Sequence, residues 1–372
     1  MSLLLDEALG STGMHGRNTE SMRISDISAE RGHDAPAQMT VRPAWLSSRT
    51  EEILEPETPI IDTHHHIWDP PDARYLFDEF LSDTRSGHNI VASVFIECHG
   101  MWRSRGPEEL RPVGETEFIA GVAAQSDSGR YGPARLCAAI VGFADLTLGD
   151  RIEPVLAAHI AAGGGRFRGI RGRTSSHENP QINKWRTPAG VLKENATRRA
   201  IAAIARHGLS LDIWTYQTQV DDVLDLCRAF PELRVIVDHS GGPLGCGPYK
   251  NKRAQLFPVW ADGVRSLARL PNTYMKLGGL GMRFSGFEFH LQPVAPSSNE
   301  LADAWRPYIE TCIEAFGPTR CMFESNFPAD KGTCSYHVLW NAFKKLTHGL
   351  SGAERNALFY STAQQVYRIP IP

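Results

Sequence analysis

The feature of this sequence that most constrains its fold is a repeated alternation, beyond Pro56, between short apolar segments and longer segments with helical periodicity. Eight such pairs can be counted. Strands that alternate with helices indicate parallel pairing, and eight units favour a closed barrel over an open sheet. We therefore predict an α/β fold, a single-domain (β/α)₈ TIM barrel over residues 56–372, preceded by an N-terminal extension over residues 1–45.

The predicted strands end in polar residues, and in a barrel of this kind the chemistry lies at the carboxyl ends of the strands. The strand candidates are residues 59–66, 90–99, 136–145, 167–174, 209–216, 234–240, 273–280 and 320–327. The helix candidates are residues 77–86, 113–126, 151–162, 196–207, 220–230, 255–270, 300–316 and 336–346, and residues 353–367 supply a closing helix.

The composition is that of a globular enzyme, with 42% hydrophobic and 22% charged residues. A net charge of −3 provides no basic field for nucleic acid, and no apolar run is long enough to span a membrane. Seven cysteines without CxxC spacing indicate reduced thiols and a cytoplasmic protein. Residues 1–45 are polar and lack a sustained period, so we expect them to be partly flexible or packed on a neighbouring subunit.

The first predicted strand contains the motif Asp62-Thr63-His64-His65-His66. In an extended strand every second side chain lies on one face, so Asp62, His64 and His66 are expected to point the same way. Two imidazoles at one strand end can bind a divalent metal or polarise a substrate oxygen. The alternative is a turn that happens to be rich in histidine.

Arginines suggest an anionic small-molecule substrate. Arg171 and Arg173 end the fourth predicted strand, where they could clamp a carboxylate or simply begin a solvated loop. The loop after the second strand carries Trp102 and Arg103, and it is expected to project over the barrel mouth.

Three further strand ends supply candidates with alternative roles. Glu97 could contribute to the site or form a buried ion pair with a basic residue. Tyr216 is a candidate substrate contact, although an aromatic residue there can equally be part of the pocket wall. His239 follows an apolar strand and precedes Gly-Gly-Pro, a position that favours a role in the site.

These features together resemble the amidohydrolase-2 family of the amidohydrolase superfamily, over residues 59 to 368. That family of TIM-barrel hydrolases includes sugar-acid lactonases, 2-pyrone-4,6-dicarboxylate hydrolase and 4-sulfomuconolactone hydrolase. The segments that carry the resemblance are residues 61–69 (IDTHHHIWD), 237–243 (VDHSGGP) and 323–328 (FESNFP).

The resemblance implies that His64, His66 and His239 bind a divalent metal, zinc above other metals, or polarise the substrate carbonyl without a metal. It also places Asn326 where relatives have the aspartate that activates water. An amide cannot act as a general base at neutral pH. Glu324 or Asp330 could supply the carboxylate instead, or the Asn326 amide oxygen could bind the metal.

Glu324 is slightly favoured over Asp330, because strand alternation puts it on the same face as Asn326. Without a positive partner, a glutamate at that depth would have a raised pKa that suits proton transfer. The sequence predicts hydrolysis of a lactone that carries an anionic group, in aromatic- or sugar-acid catabolism. The alternatives are non-oxidative decarboxylation of an aromatic acid and a catalytically silent binding barrel. The resemblance also suggests a homodimer.

Overall fold

The computed structural model describes residues 39–180, 182–183 and 187–370. Eight parallel strands follow one another around a single sheet in the order β1 to β8. Their bounds are β1 Ile60–His65, β2 Ile90–Ile96, β3 Arg135–Gly142, β4 Phe167–Arg171, β5 Ser210–Ile213, β6 Val235–Val237, β7 Thr273–Leu277 and β8 Cys321–Phe323.

The α-helices surround this sheet. Their bounds are α1 Pro43–Leu46, α2 Phe77–Thr84, α3 Val113–Asp127, α4 Glu153–Ala162, α5 Asn195–Arg206, α6 Val220–Ala229, α7 Arg253–Ala268, α8 Ser298–Phe316, α9 Tyr336–Leu346, α10 Gly352–Asn356 and α11 Thr362–Val366. A π-helical turn, Ala357–Ser361, joins the last two helices, so the single closing helix predicted from sequence is interrupted. No helix within the described ranges is long and apolar enough to cross a membrane.

The barrel closes between its first strand and the segment that follows its last strand. His65 and Phe327 form a parallel bridge, Asn326 N–H donates to the His64 carbonyl at 2.8 Å, and His66 N–H donates to the Phe327 carbonyl at 2.8 Å. These contacts complete the predicted (β/α)₈ barrel, because they join its first strand to the segment after its last strand at the barrel mouth.

Two apolar clusters follow from the alternation of side chains along the strands. The larger packs the outer faces of the strands against the helices. The smaller joins inward residues such as Ile61, Ile236 and Met322 to Tyr367 and Ile369 of the C-terminal segment. The inward face changes from apolar to charged toward the mouth, because Asp238 stands two residues after Ile236 and Glu324 stands two after Met322.

All eight predicted strands are present, and every one of them ends earlier than the sequence predicted. β6 ends at Val237 and β8 ends at Phe323, so their polar successors lie in loops at the mouth. Of the predicted extension, residues 1–38 lie outside the described part of the chain. Residues 39–45 pack on the barrel, where Arg42 donates to the His290 carbonyl at 2.6 Å and Trp45 to the Gln292 carbonyl at 2.9 Å.

Candidate active site at the barrel mouth

The histidine motif of β1 does not follow strict alternation. The register of β1 against β2 is irregular between Asp62 and His65. Asp62 accepts hydrogen bonds from the Ser325 hydroxyl at 2.6 Å and the Tyr336 hydroxyl at 2.9 Å. The expectation that Asp62 shares a face with the imidazoles is therefore wrong, and this carboxylate instead anchors β1 to the segment after β8.

The two site histidines of β1 have different partners. His64 is fully buried, and its ring centroid lies 4.9 Å from that of His66. His66 Nδ1 is 2.9 Å from the Ile96 carbonyl, which can only accept, so the lone pair of this ring is on Nε2. Burial lowers the pKa of His66 to about 3 and that of His64 well below its usual value, so both rings are neutral at neutral pH.

Glu324 lies between two imidazoles. One of its oxygens, Oε1, is 2.7 Å from His239 Nδ1 and also accepts the His239 backbone N–H at 3.0 Å. The other, Oε2, is 2.9 Å from His64 Nδ1. Burial opposes ionisation of Glu324, but the imidazoles of His239 and His64 outweigh it and hold the pKa of this carboxyl well below its usual range.

The prediction of a raised pKa for Glu324 is therefore wrong. It assumed that no group near Glu324 favours the ionised form, whereas imidazoles from β1 and from the loop after β6 converge on this carboxylate and stabilise it. A carboxylate held in its ionised form by two rings is a weak proton acceptor and a strong hydrogen-bond acceptor.

Below the imidazoles lies a buried ion cluster. Lys276 Nζ of β7 donates to Asp212 Oδ2 at 2.8 Å, is 3.1 Å from Asp238 Oδ1 and 3.3 Å from His64 Nδ1. The Tyr367 hydroxyl donates to the same oxygen of Asp212 at 2.7 Å. Burial would neutralise Lys276, but Asp212 and Asp238 more than offset it and raise its pKa, so the ammonium persists.

Arg171 joins the cluster from β4. Its Nε donates to Glu97 Oε1 at 2.7 Å and its Nη2 to the Glu97 carbonyl at 2.6 Å, which confirms the buried ion pair considered for Glu97. Its Nη1 is 3.2 Å from His64 Nε2 and 3.6 Å from Asp238 Oδ2. Arg173 lies farther out, with Nε 3.3 Å from His99 Nε2.

Asn326 and Asp330 form a second pair at the mouth. Asn326 Nδ2 donates to Asp330 Oδ1 at 2.9 Å, and the Gly281 N–H donates to Asp330 Oδ2 at 3.1 Å. Burial raises the pKa of Asp330 to about 7. Asn326 is not extended, since its φ is +54°, so the alternation that was used to put it on the same face as Glu324 does not apply.

The remaining predicted substrate contacts lie outside this cluster. Trp102 stacks on Phe143 with ring centroids 5.3 Å apart. Arg103 is ion-paired at the surface with Glu117. The Tyr216 hydroxyl donates to the Ile182 carbonyl at 2.9 Å, and the residue is 4 % exposed, which is typical of a pocket wall.

Several side chains at the barrel mouth have atoms that could bind a divalent cation. Within the described ranges, His64, Asp238 and His239 have ligand atoms within 4.8 Å of one another, and His66 lies beside this group without belonging to it. Both Asp238 oxygens are buried without a hydrogen bond and have only ion pairs. Imidazole and carboxylate donors suit zinc, so the set fits a divalent cation, provided that Arg171 gives up its contact with His64 Nε2.

Asp212, Asp238 and Lys276 were not among the site residues predicted from the sequence. A signal was present, because each is a charged residue within or directly after a short apolar strand. Charged side chains are almost never fully buried unless they are paired. Because these opposite charges lie within or directly after three consecutive strands, the sequence could have predicted that Lys276 pairs with Asp212 and Asp238. It could not have predicted that the pairs lie beneath His64.

Comparisons with known proteins agree with this architecture. The family model described as Amidohydrolase matches residues 61–369. An uncharacterised protein y4mH of Sinorhizobium fredii is 33% identical over 332 residues, which cover 83% of this chain and 98% of that protein. An L-fucono-1,5-lactonase of Burkholderia multivorans is 25% identical over 331 residues, covering 84% and 97% respectively.

A crystal structure of an amidohydrolase from Burkholderia multivorans with bound zinc shares the fold. Its TM-score is 0.64 at 23% identity, and the match covers 84% of this chain and 99% of that one. The eight-stranded barrel, the histidines at its mouth and a family match over most of the chain lead to one conclusion. The chain belongs to the amidohydrolase family, as its histidine motif and its strand count had suggested.

Proposed function

We propose that this protein hydrolyses the lactone of a sugar acid. The observation that carries the proposal is the buried group at the barrel mouth in which Glu324 contacts the imidazoles of His64 and His239 beside Arg171. Similarity along 84% of the chain to an L-fucono-1,5-lactonase supports this choice of substrate class.

A divalent cation, with zinc as our first choice, would be held by His64, Asp238 and His239. When bound, it would polarise the lactone carbonyl and lower the pKa of a water molecule. Arg171 keeps a positive charge in the group, where it favours negative charge that develops on the carbonyl oxygen.

Asp330 is the carboxylate that we assign to proton transfer, because Glu324 is held ionised by two rings. The Asp330 carboxyl has a pKa of about 7, close to the value that serves a general base at neutral pH. Its bond from Asn326 Nδ2 orients the amide beside it. Asn326 would then position the attacking water without itself accepting a proton.

In the proposed reaction, Asp330 accepts one proton from water and later returns it to the leaving oxygen. A water oxygen forms a bond to the lactone carbonyl carbon as its proton passes to the Asp330 carboxylate. The ring carbon–oxygen bond then breaks, and the ring oxygen takes the proton from Asp330. The product is an open-chain hydroxy acid, which releases one proton to solution at neutral pH.

We favour an uncharged polyhydroxy lactone over the carboxylated lactone that the arginines had suggested. A substrate carboxylate needs a cationic partner, and Arg171 is already paired with Glu97 and Asp238. Arg103 is paired with Glu117 at the surface. The pairing of these two arginines weakens the case for an anionic group on the substrate.

The test measures proton release from a panel of neutral sugar lactones and carboxylated lactones, with the spontaneous rate subtracted, in chelator and after added zinc. We expect turnover of neutral lactones by the wild type and its loss in His239→Asn. The exposed His207→Asn, whose ring pairs with Glu153 on the outer surface, serves as the matched control and should retain full activity. Absence of turnover across the whole panel, with and without zinc, would refute the proposal.

A further inference from the structure

Glu324 makes an unusual set of contacts for a single side chain. It enters from the segment after β8, is fully buried, and reaches the Nδ1 atoms of two histidines from different strands, at 2.9 Å for His64 and 2.7 Å for His239. The next carboxylate, Asp238, is 3.7 Å from His64 Nδ1, which is beyond hydrogen-bond distance. Glu324 is therefore the carboxylate that both rings share.

The loop after β7 provides the space for this side chain. A Cβ atom on Gly278 would lie 2.5 Å from Glu324 Cγ. A Cβ atom on Gly279, whose φ is +67°, would lie 2.5 Å from His239 Cβ. Any larger residue at either position would displace the glutamate or the imidazole, so the two glycines and Glu324 form one packed unit.

We propose that Glu324 is a positioning residue that fixes the tautomer and the orientation of both His64 and His239. This inference rests on the proposed lactone hydrolysis for its kinetic consequence but not for its structural one. A neutral imidazole carries one N–H, on either Nδ1 or Nε2. A carboxylate next to Nδ1 accepts a hydrogen bond and so favours the tautomer with the proton on Nδ1. Both rings then present Nε2, the atom that a metal or a substrate would meet.

At His64 Nδ1 two groups compete: the Lys276 ammonium, which can only donate, is 3.3 Å away, whereas the Glu324 carboxylate, which accepts, is nearer at 2.9 Å. The other ring nitrogen decides between them. Arg171 Nη1, which can only donate, lies 3.2 Å from His64 Nε2, so that nitrogen must accept. For His239, the Glu324 oxygen at Nδ1 can only accept while it is ionised, so Nδ1 must donate. One carboxylate thus sets the same protonation pattern on β1 and on β6.

The experiment compares Glu324→Gln and Glu324→Asp with wild type and with Glu354→Gln as the matched control, since Glu354 is partly exposed and its carboxylate contacts Ser351 at the start of α10. Ring ¹⁵N signals of protein labelled at histidine nitrogen, assigned with His64→Asn and His239→Asn, report the tautomer of each ring. In the wild type we expect both rings protonated at Nδ1. In Glu324→Gln we expect this pattern to be lost from at least one ring, and in Glu324→Asp to be partly retained.

The kinetic readout uses any lactone that the wild type opens. Loss of a partner that orients a ligand typically costs 10- to 100-fold in activity, and we expect this loss in kcat with KM changed by less than about threefold. Glu324→Asp should recover part of kcat, and Glu354→Gln should behave as wild type. A merely structural role would lower the amount of folded protein without changing kcat per folded molecule.

Two results would overturn the inference. One is a wild-type spectrum in which either ring is protonated at Nε2, a result that requires no variant to fold. The other is a folded Glu324→Gln protein that keeps both the tautomers and kcat. If no lactone is turned over by the wild type, the proposed function fails, but the ring spectra still decide whether Glu324 sets the two tautomers.

Discussion

Replacement of Asp330 by asparagine should change how the stability of this protein depends on pH. Asp330 is 1 % exposed, and burial raises the pKa of its carboxyl from the ordinary value of 3.8 to about 7. Because each pKa unit corresponds to 1.36 kcal/mol, ionising this group in the folded state costs about 4 kcal/mol relative to the unfolded chain.

The sign follows from the direction of this pKa change. The folded state holds the proton more tightly than the unfolded state, so the stabilisation is complete below about pH 4 and is lost as the pH rises through about 7. Between pH 5 and pH 8 the wild type should therefore lose about 2.5 kcal/mol of unfolding free energy at this one group. The Asp330→Asn variant should not show this pH-dependent loss of unfolding free energy, because an amide does not titrate in this range.

The assay is urea unfolding of both proteins at several pH values in the presence of a chelator, with the difference in unfolding free energy plotted against pH. The pH-independent cost of exchanging a carboxylate for an amide shifts the whole curve, whereas the titration changes its slope. The exposed Asp72→Asn is the control and should give a flat difference. A flat difference for Asp330→Asn as well would refute the raised pKa, and with it the assignment of Asp330 to proton transfer.

Three further predictions concern other parts of the structure. Lys276→Met should destabilise the protein by about 3 to 5 kcal/mol in urea unfolding, because it leaves Asp212 buried beside a second carboxylate, and a smaller loss than 1 kcal/mol would contradict the buried pair. Glu115→Gln should change stability at pH 7 by less than about 1 kcal/mol, since burial raises the pKa of Glu115 to about 8 and keeps it protonated. Trp45→Ala should speed hydrogen exchange in residues 289–295, whose backbone Trp45 contacts, and unchanged exchange there would exclude this anchoring.

The sequence predicted the fold well because the fold depends on a pattern that is local. Each apolar segment and each helical segment shows its own period, so the number and order of strands could be read without any long-range contact. The strand ends were less predictable. β6 contains only Val235–Val237, and the polar residues that follow it leave the sheet in left-handed conformations, such as His239 with a φ of +56°.

The site could be predicted only in part, because some of its features are local in the sequence and others depend on distant residues. His64 and His239 stand out because of their sequence neighbours, but the behaviour of Glu324 depends on two residues that are 260 and 85 positions away in the chain. A pKa reflects everything within a few ångströms, and no local pattern contains that information. The same limit applies to Arg171, which looked like a free anion clamp until its pairing with Glu97 was visible.

The hydroxyl of Tyr367 donates to Asp212 and so links the C-terminal segment to the charges beneath the histidines. Asp212 pairs with Lys276, and Lys276 lies beside His64, so this contact reaches a site histidine through two charged side chains. The hydroxyl is neutral, so it adds a hydrogen bond to Asp212 and leaves the charge balance of the cluster unchanged. The packing of Val366, Tyr367 and Ile369 against the inner face of the barrel is therefore coupled to the surroundings of His64.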